Sequence, residues 1–386
     1  MSNRKYPGFS RKPFVFPKKY NKVIDDDETS SSSSDEDLPP KKLININKRI
    51  KLTLKTKDPI PDIDKTILGK VCSSLDDLIL IGETFFKYNQ KYNYKEMNIT
   101  EYRFESLNKI AKMSTELKLI NEMIGMEKIK KQLVSQIAYL LANYKQSILM
   151  HTVISGPPGH GKTEIAKLIG NAYFKSGILT SSKFVCASRS ELIGRYLGQT
   201  AGNTKAIFKK AEGGVIFIDE IYALGGGKAG DDIYSKECID TINQLLTEQK
   251  DTMCIIAGYG KEMDECFFSV NKGLESRFPW RFEIEKYKGC DLHQIFLLQI
   301  KKGNWTLNTT IINPEFFNKY KEYFKNAGRD VENFYVKCCI AHAARLFLDS
   351  NDKVLTNEDI NSAIKVFKEI KDLTIIKDEP PFGMYI

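Results

Sequence analysis

The sequence has no Cys-x-x-Cys pair, only four histidines, and no apolar run approaching the roughly 20 residues that a membrane helix needs. Its N-terminus lacks the apolar h-region of a signal peptide. These absences argue against a disulfide scaffold, a structural zinc site and a spanning helix. They lead to the expectation of a soluble intracellular protein without a membrane partner, cytoplasmic, with the nucleus as the alternative. The eight cysteines, at 72, 186, 238, 254, 266, 290, 338 and 339, are scattered, a pattern that predicts reduced, mostly buried thiols. A strong charge excess is also missing from most of the chain. Residues 1–65 carry 15 Lys/Arg against 10 Asp/Glu, while the remaining 321 carry 43 against 39, so net charge alone points to no nucleic acid.

What is present changes character along the chain. Residues 1–24 hold seven basic and no acidic side chains, Asp25 to Asp37 seven acidic and no basic ones, and Lys41 to Lys57 seven basic and no acidic ones. Such blocks lack the apolar periodicity that offsets chain entropy, which predicts a disordered arm over 1–65. Ser32, Ser33 and Ser34 each precede an acidic residue by three positions, as in sites of acidophilic kinases. The basic stretch from Lys41 to Lys51 suits a nuclear address or a nucleic-acid contact, and equally a solvated tail.

Amphipathic helices are expected around Leu75, Leu78, Ile79, Ile81 and Phe85, and around Leu107, Ile110, Leu117 and Ile120. Beyond them, helical patterns alternate with short apolar strands at Leu149–Ser155, Phe184–Ala187, Gly214–Asp219, Met253–Gly258 and Arg281–Glu285. That alternation predicts an α/β fold, a parallel sheet with helices on both faces. After Asp291 only helices are expected. The division is therefore an arm at 1–65, a helical segment at 66–117, an α/β domain at 118–290, a small all-α lid domain at 291–372 and a tail at 373–386.

Gly156-Pro157-Pro158-Gly159-His160-Gly161-Lys162-Thr163 satisfies G-x-x-x-x-G-K-[ST] between a predicted strand and a predicted helix. The glycines let successive backbone N–H groups turn toward phosphate oxygens, and the helix N-terminus adds partial positive charge. Lys162 would reach the β- and γ-phosphates, and the Thr163 hydroxyl would ligate Mg²⁺. A chance glycine turn is the plain alternative, and the strand–loop–helix context disfavours it. His160 occupies a variable position and is given no chemistry. Val215-Ile216-Phe217-Ile218-Asp219-Glu220 reads as a central strand ending in two carboxylates beside that loop. There Asp219 would support the metal and Glu220 would polarise the attacking water.

These blocks, with others in the same order, resemble AAA+ ATPases of the CbbX/CfxQ-like branch, which includes SpoVK-type proteins, over roughly residues 107 to 371. The others are Ile124-Gly125-Met126-Glu127, Ser188 to Gly198, Phe217 to Leu224, Ile256-Ala257-Gly258-Tyr259 with Met263-Asp264, Gly273 to Phe278, and Asn326 to Asp330. The resemblance implies a P-loop NTPase fold and ATP with Mg²⁺ as cofactors. It implies a homo-oligomeric ring, hexameric by analogy, that remodels or threads a protein client. It further implies an adenine contact at Ile124 and Gly125, an arginine finger at Arg277 acting on the neighbouring subunit, a lid contact to nucleotide from Arg329, and a pore-loop aromatic at Tyr196. Arg281 competes for the finger role, a surface salt bridge is the plain reading of Arg277, and a packed tyrosine is that of Tyr196. Gly258-Tyr259 stands where the family usually has a polar sensor-1 residue.

A nucleic-acid motor or loader is the first rival function, but the short connection between the helix around Ile239–Glu248 and the strand at Met253 leaves no room for an inserted hairpin. A nucleotide-dependent scaffold that barely turns over is the second, kept alive by the sensor-1 departure and opposed by Glu220 and Arg277.

Overall fold

The computed structural model describes residues 72–91, 101–142, 149–196, 198–225, 233–271, 273–347 and 352–378. The arm expected at 1–65, with its serine run and basic blocks, lies outside the described residues, as do Leu197, the glycine-rich stretch at 226–230 and the end of the tail.

Five strands form the parallel sheet: β1 (Thr152–Ser155), β2 (Phe184–Ala187), β3 (Val215–Ile218), β4 (Met253–Gly258) and β5 (Trp280–Glu283). Their order is β2-β3-β4-β1-β5, so β1 lies between β4 and β5 with Ser155 level with Gly258 and Glu283. Side chains of a strand alternate between faces, and here both faces are covered. Val215 and Phe217 of β3, with Met253, Ile255 and Ala257 of β4, enter one core. Ile216 and Ile218, with Cys254 and Ile256, enter the other.

The first core is roofed by α1 (Leu75–Lys91), α2 (Glu101–Glu122), α3 (Glu127–Leu141) and α4 (Lys162–Ser176). Leu75, Leu78, Met113, Leu117 and Ile120 share that core with Ile154 and Ile165, so the N-terminal helices are continuous with the sheet's packing. The boundary expected between 117 and 118 falls inside α2. The second core is covered by α6 (Gln199–Lys210) and α7 (Ile233–Glu248), with the short α5 (Arg189–Leu192) between β2 and α6 and the short α8 (Gly260–Met263) after β4. Only Gln249 to Thr252 separate α7 from β4, as the sequence indicated.

The remaining domain holds α9 (Gly289–Lys302), α10 (Pro314–Lys319), α11 (Ala327–Leu346) and α12 (Asn357–Asp378). Its core is rich in phenylalanine, with Phe296 and Phe334 ring centres 5.6 Å apart and Phe324 and Phe367 5.3 Å apart. One expectation is corrected here. Two three-residue strands, β6 (Thr306–Asn308) and β7 (Val354–Thr356), pair in parallel after Asp291. They are too short for alternation to register in sequence. Thr356 leads into α12, donating from its backbone N–H to Asp359 Oδ2 at 2.9 Å. All eight cysteines are free thiols, but only Cys238, Cys254 and Cys338 are buried, and Cys186 and Cys290 are exposed.

Ahead of β1, His151 is buried, its ring 5.9 Å from that of Phe278. Its Nδ1 accepts from the Cys254 N–H at 3.1 Å while Nε2 faces the Leu246 carbonyl at 3.2 Å. That pairing requires the neutral ring, and burial lowers its pKa from 6.5 to about 4. The unfolded chain therefore binds this proton at higher pH than the folded one does. The stabilisation is complete above about pH 6.5 and lost as pH falls toward about 4, about 3 kcal/mol in all. Urea unfolding across this window should show that slope, and His151→Gln should flatten it. An unchanged slope in the variant would assign the pH dependence to other groups.

Candidate active site

A cavity of about 550 Å³ opens where the central strands end, within the size range of small-ligand clefts. The loop from β1 to α4 forms its floor. Gly156 N–H donates to Gly258 O at 3.0 Å, which seats the start of the loop on the end of β4. The chain then passes through Gly159 (φ 71°) and Gly161 (φ 81°), left-handed positions that glycine adopts without a Cβ penalty. Gly161 is the N-cap of α4, so the unpaired N–H groups of the first helical turn lie at the cavity, where Lys162 and Thr163 line it.

Lys162 Nζ donates to the carbonyls of Gly156 and Pro157 at 2.9 Å each. Its ammonium lies 5.7 Å from the centre of the Tyr259 ring. Burial pushes its pKa below the usual lysine value, while Asp219 and Glu220 oppose that shift. Those two carboxylates are exposed at the end of β3 and line the same cavity. Glu220 is left-handed (φ 50°, ψ 43°), a strained conformation for a non-glycine residue costing about 1–3 kcal/mol. Its N–H donates to Asp219 Oδ1 at 3.0 Å, and its carbonyl accepts from the Ala223 N–H at 2.8 Å. The donor set suits a magnesium nucleotide. A lysine and helix-start amides can meet phosphate oxygens, and a hydroxyl with a carboxylate is the hard-oxygen chemistry that Mg²⁺ takes.

The helical domain closes the other side. Gly328 N–H donates to Gly159 O at 3.1 Å, and Arg329 lines the cavity with Ile295, Leu298 and Gln299 of α9. Several other lining residues carry no role read from sequence, among them Met123, Tyr287 and Tyr222. Met123 lines the wall where Ile124 and Gly125 were expected, while Gly125 (φ 69°) packs against the Tyr287 ring. Tyr287 lies between β5 and α9 without any local sequence signal, and Tyr222 sits within the block after Glu220. Burial first, and Glu220 next, raise the Tyr222 pKa to about 12, so its phenol remains a donor.

His160 does not line this cavity. It is buried behind the loop, with Nδ1 at 2.8 Å from Pro158 O and Nε2 accepting from the Tyr287 N–H at 3.4 Å. The rings of His160 and Tyr287 are 4.7 Å apart. Burial lowers the His160 pKa, in keeping with a neutral ring that joins loop to lid.

Arg277 lies elsewhere. It ends a 3-10 turn (Glu275–Arg277) before β5, and Trp280 of β5 is level with Thr152, the start of β1. Arg277 therefore stands off the opposite edge of the sheet from the phosphate loop. Nε donates to Thr247 Oγ1 at 2.9 Å and Nη1 to Gly273 O at 2.6 Å, with no carboxylate partner among the described residues. Arg281 is held by Asp264 at 3.1 Å and Glu275 at 3.3 Å, and lies 4.4 Å over the Phe268 ring. Tyr196 is 68% exposed on the segment between α5 and α6.

A methyl group at Gly159 would come within 2.0 Å of Asn326 O, at a φ that alanine resists. Gly159→Ala should thus force the lid from the loop and weaken ADP binding about tenfold or more while circular dichroism stays native. Wild-type affinity in calorimetry would show that the lid contact does not shape the site.

The sequence profile of the "ATPase family associated with various cellular activities (AAA)" matches residues 152–285. A cfxQ-like protein of Acanthamoeba polyphaga mimivirus is 36% identical over 293 residues, covering 75% of this chain and 69% of that protein. Stage V sporulation protein K of Bacillus subtilis is 32% identical over 63% of this chain and 81% of its own. A chloroplastic cbbX homologue of Guillardia theta is 32% identical over 60% and 65%. With the phosphate loop, the paired carboxylates and the helical lid around one cavity, these likenesses make the chain an ATPase of the AAA family, in its CfxQ/CbbX-like branch.

Proposed function

We propose that the cavity binds Mg-ATP at the boundary between adjacent subunits and that hydrolysis there drives remodelling or threading of a protein client. The observation that carries this reading is the division of the machinery. Lys162, Thr163, Asp219 and Glu220 share one cavity, while Arg277 stands at the far edge of the same sheet. Lys162 and the loop amides of Gly159 to Thr163 hold the phosphates, and Thr163 and Asp219 hold the metal. Glu220 takes a proton from the water that attacks the γ-phosphorus as the bond to the bridging oxygen breaks. Arg329 reports the phosphate to the lid. Arg277 completes a neighbour's site, which requires a closed head-to-tail ring, six-membered by analogy with the family. Arg281 is already paired with two carboxylates, which favours Arg277 as the finger. The exposed Tyr196 would grip the client from the ring's pore. The four-residue turn between α7 and β4 lacks an inserted hairpin and favours a protein client over nucleic acid.

Glu220→Gln should retain ATP and hydrolyse it at least about a hundredfold more slowly, since only water activation is lost. Normal turnover in that variant would move the catalytic role elsewhere. Arg277→Ala should bind ATP almost normally and lose about 10³–10⁵ in rate. Lys162→Ala should fail to bind. Mixed together, these two inactive variants should regain activity, because the intact finger of one serves the intact loop of the other. Mixed rings without recovery would exclude a shared site built on Arg277.

A further inference from the structure

Arg189, the first residue of α5, is not among the residues that line the nucleotide cavity. Its Nη1 donates to the carbonyl of Ala223 and to Ser235 Oγ at 3.0 Å. Ala223 belongs to the 3-10 turn (Ile221–Leu224) that directly follows Glu220, and its N–H is the donor to the Glu220 carbonyl at 2.8 Å. One residue therefore carries both the bond from Arg189 and the bond to Glu220.

The opposite side of the turn is fixed by close packing. A Cβ on Gly225, the C-cap of this turn, would meet the Cys266 carbonyl oxygen at 1.8 Å. The left-handed backbone of Glu220 thus sits in a turn gripped from two sides, and strained conformations persist only where their surroundings over-determine them. Between α5 and the turn lies a second cavity of about 640 Å³, with Ser188, Arg189 and Ile193 on one wall and Asp219, Glu220 and Ala223 on the other. Beneath that space Leu192 shares a buried core with Ile221 and Leu224, and across it the guanidinium bridge is a polar connection to the turn.

Arg189 is equally well fixed at its own end. Ser188 caps α5 through Glu191 Oε2, with N–H and hydroxyl each at 2.9 Å. Ile193 N–H donates to Arg189 O at 2.9 Å, and Gly194 N–H to Thr200 Oγ1 at 3.1 Å, so the segment that carries Tyr196 begins at this anchor.

We propose that Arg189 is a positioning residue for Glu220. Its guanidinium holds the turn that keeps Glu220 in place and ties it to the segment bearing Tyr196. The proposal rests on the reading of Glu220 as the group that activates water. Arg189→Ala should leave the KM for ATP within about twofold of wild type and lower kcat at least about tenfold, the effect of a misplaced catalytic group. Arg189→Lys should recover part of that loss, because an ammonium can still donate to Ala223 O. Ser235→Ala should have a small effect, since it spares the bond to Ala223. In a Glu220→Gln background, Arg189→Ala should change the residual rate little, because the two residues act as one unit. A wild-type kcat for Arg189→Ala would overturn the proposal. So would an equal loss from Ser235→Ala, an undiminished loss in the Glu220→Gln background, or a joint collapse of ATP affinity and melting temperature. If Glu220→Gln itself turns over normally, the underlying reading of Glu220 fails instead.

Discussion

The parallel pairing of β1 with β4 on one side and β5 on the other is the constraint on which every feature of the site depends. Parallel strands need long crossovers, and these crossovers send β1, β3 and β4 out of the sheet at the same edge. The phosphate loop, the carboxylates of β3 and Tyr259 after β4 therefore converge on one cavity although they are far apart in sequence. The same pairing sends the chain into β5 from the opposite edge, which is where Arg277 lies. A single sheet thereby carries the cavity at one rim and Arg277 at the other, the division on which the proposed shared site rests.

The second determinant is the contact between loop and lid. Gly328 N–H meets Gly159 O, and Tyr287 packs on His160. The helical domain is thus joined to the backbone of the phosphate loop itself. The lid core is closely packed, with Phe296, Phe316, Phe317, Phe324, Phe334 and Phe367 linked ring to ring among aliphatic residues. Such a core moves more readily as a body than by internal rearrangement, because close-packed interiors resist deformation. Arg329 at the start of α11 is carried by that body.

Much of this was legible in advance. The strands were located because fully buried parallel strands read as short unbroken apolar runs, as in Val215 to Ile218. The phosphate loop was legible because its glycines are needed for backbone shape at fixed spacing. The thiols were less so, since scattered cysteines say nothing about which helix face they occupy, and Cys186 and Cys290 proved exposed. The pair β6 and β7 was missed because three residues are too few for a period of two to emerge.

The sequence by itself determined the elements and the local chemistry: the loop at Gly156 to Thr163, the carboxylates at Asp219 and Glu220, and the helical C-terminal region. These depend on contacts between near neighbours, where residue type dictates backbone conformation. Only the tertiary structure decided that Met123 and not Ile124 lines the cavity, that His160 turns behind the loop to meet Tyr287, and that Arg189 reaches the turn after Glu220. Each of those facts joins residues from separate elements, and their distances follow from how the sheet, its helices and the lid pack together in space.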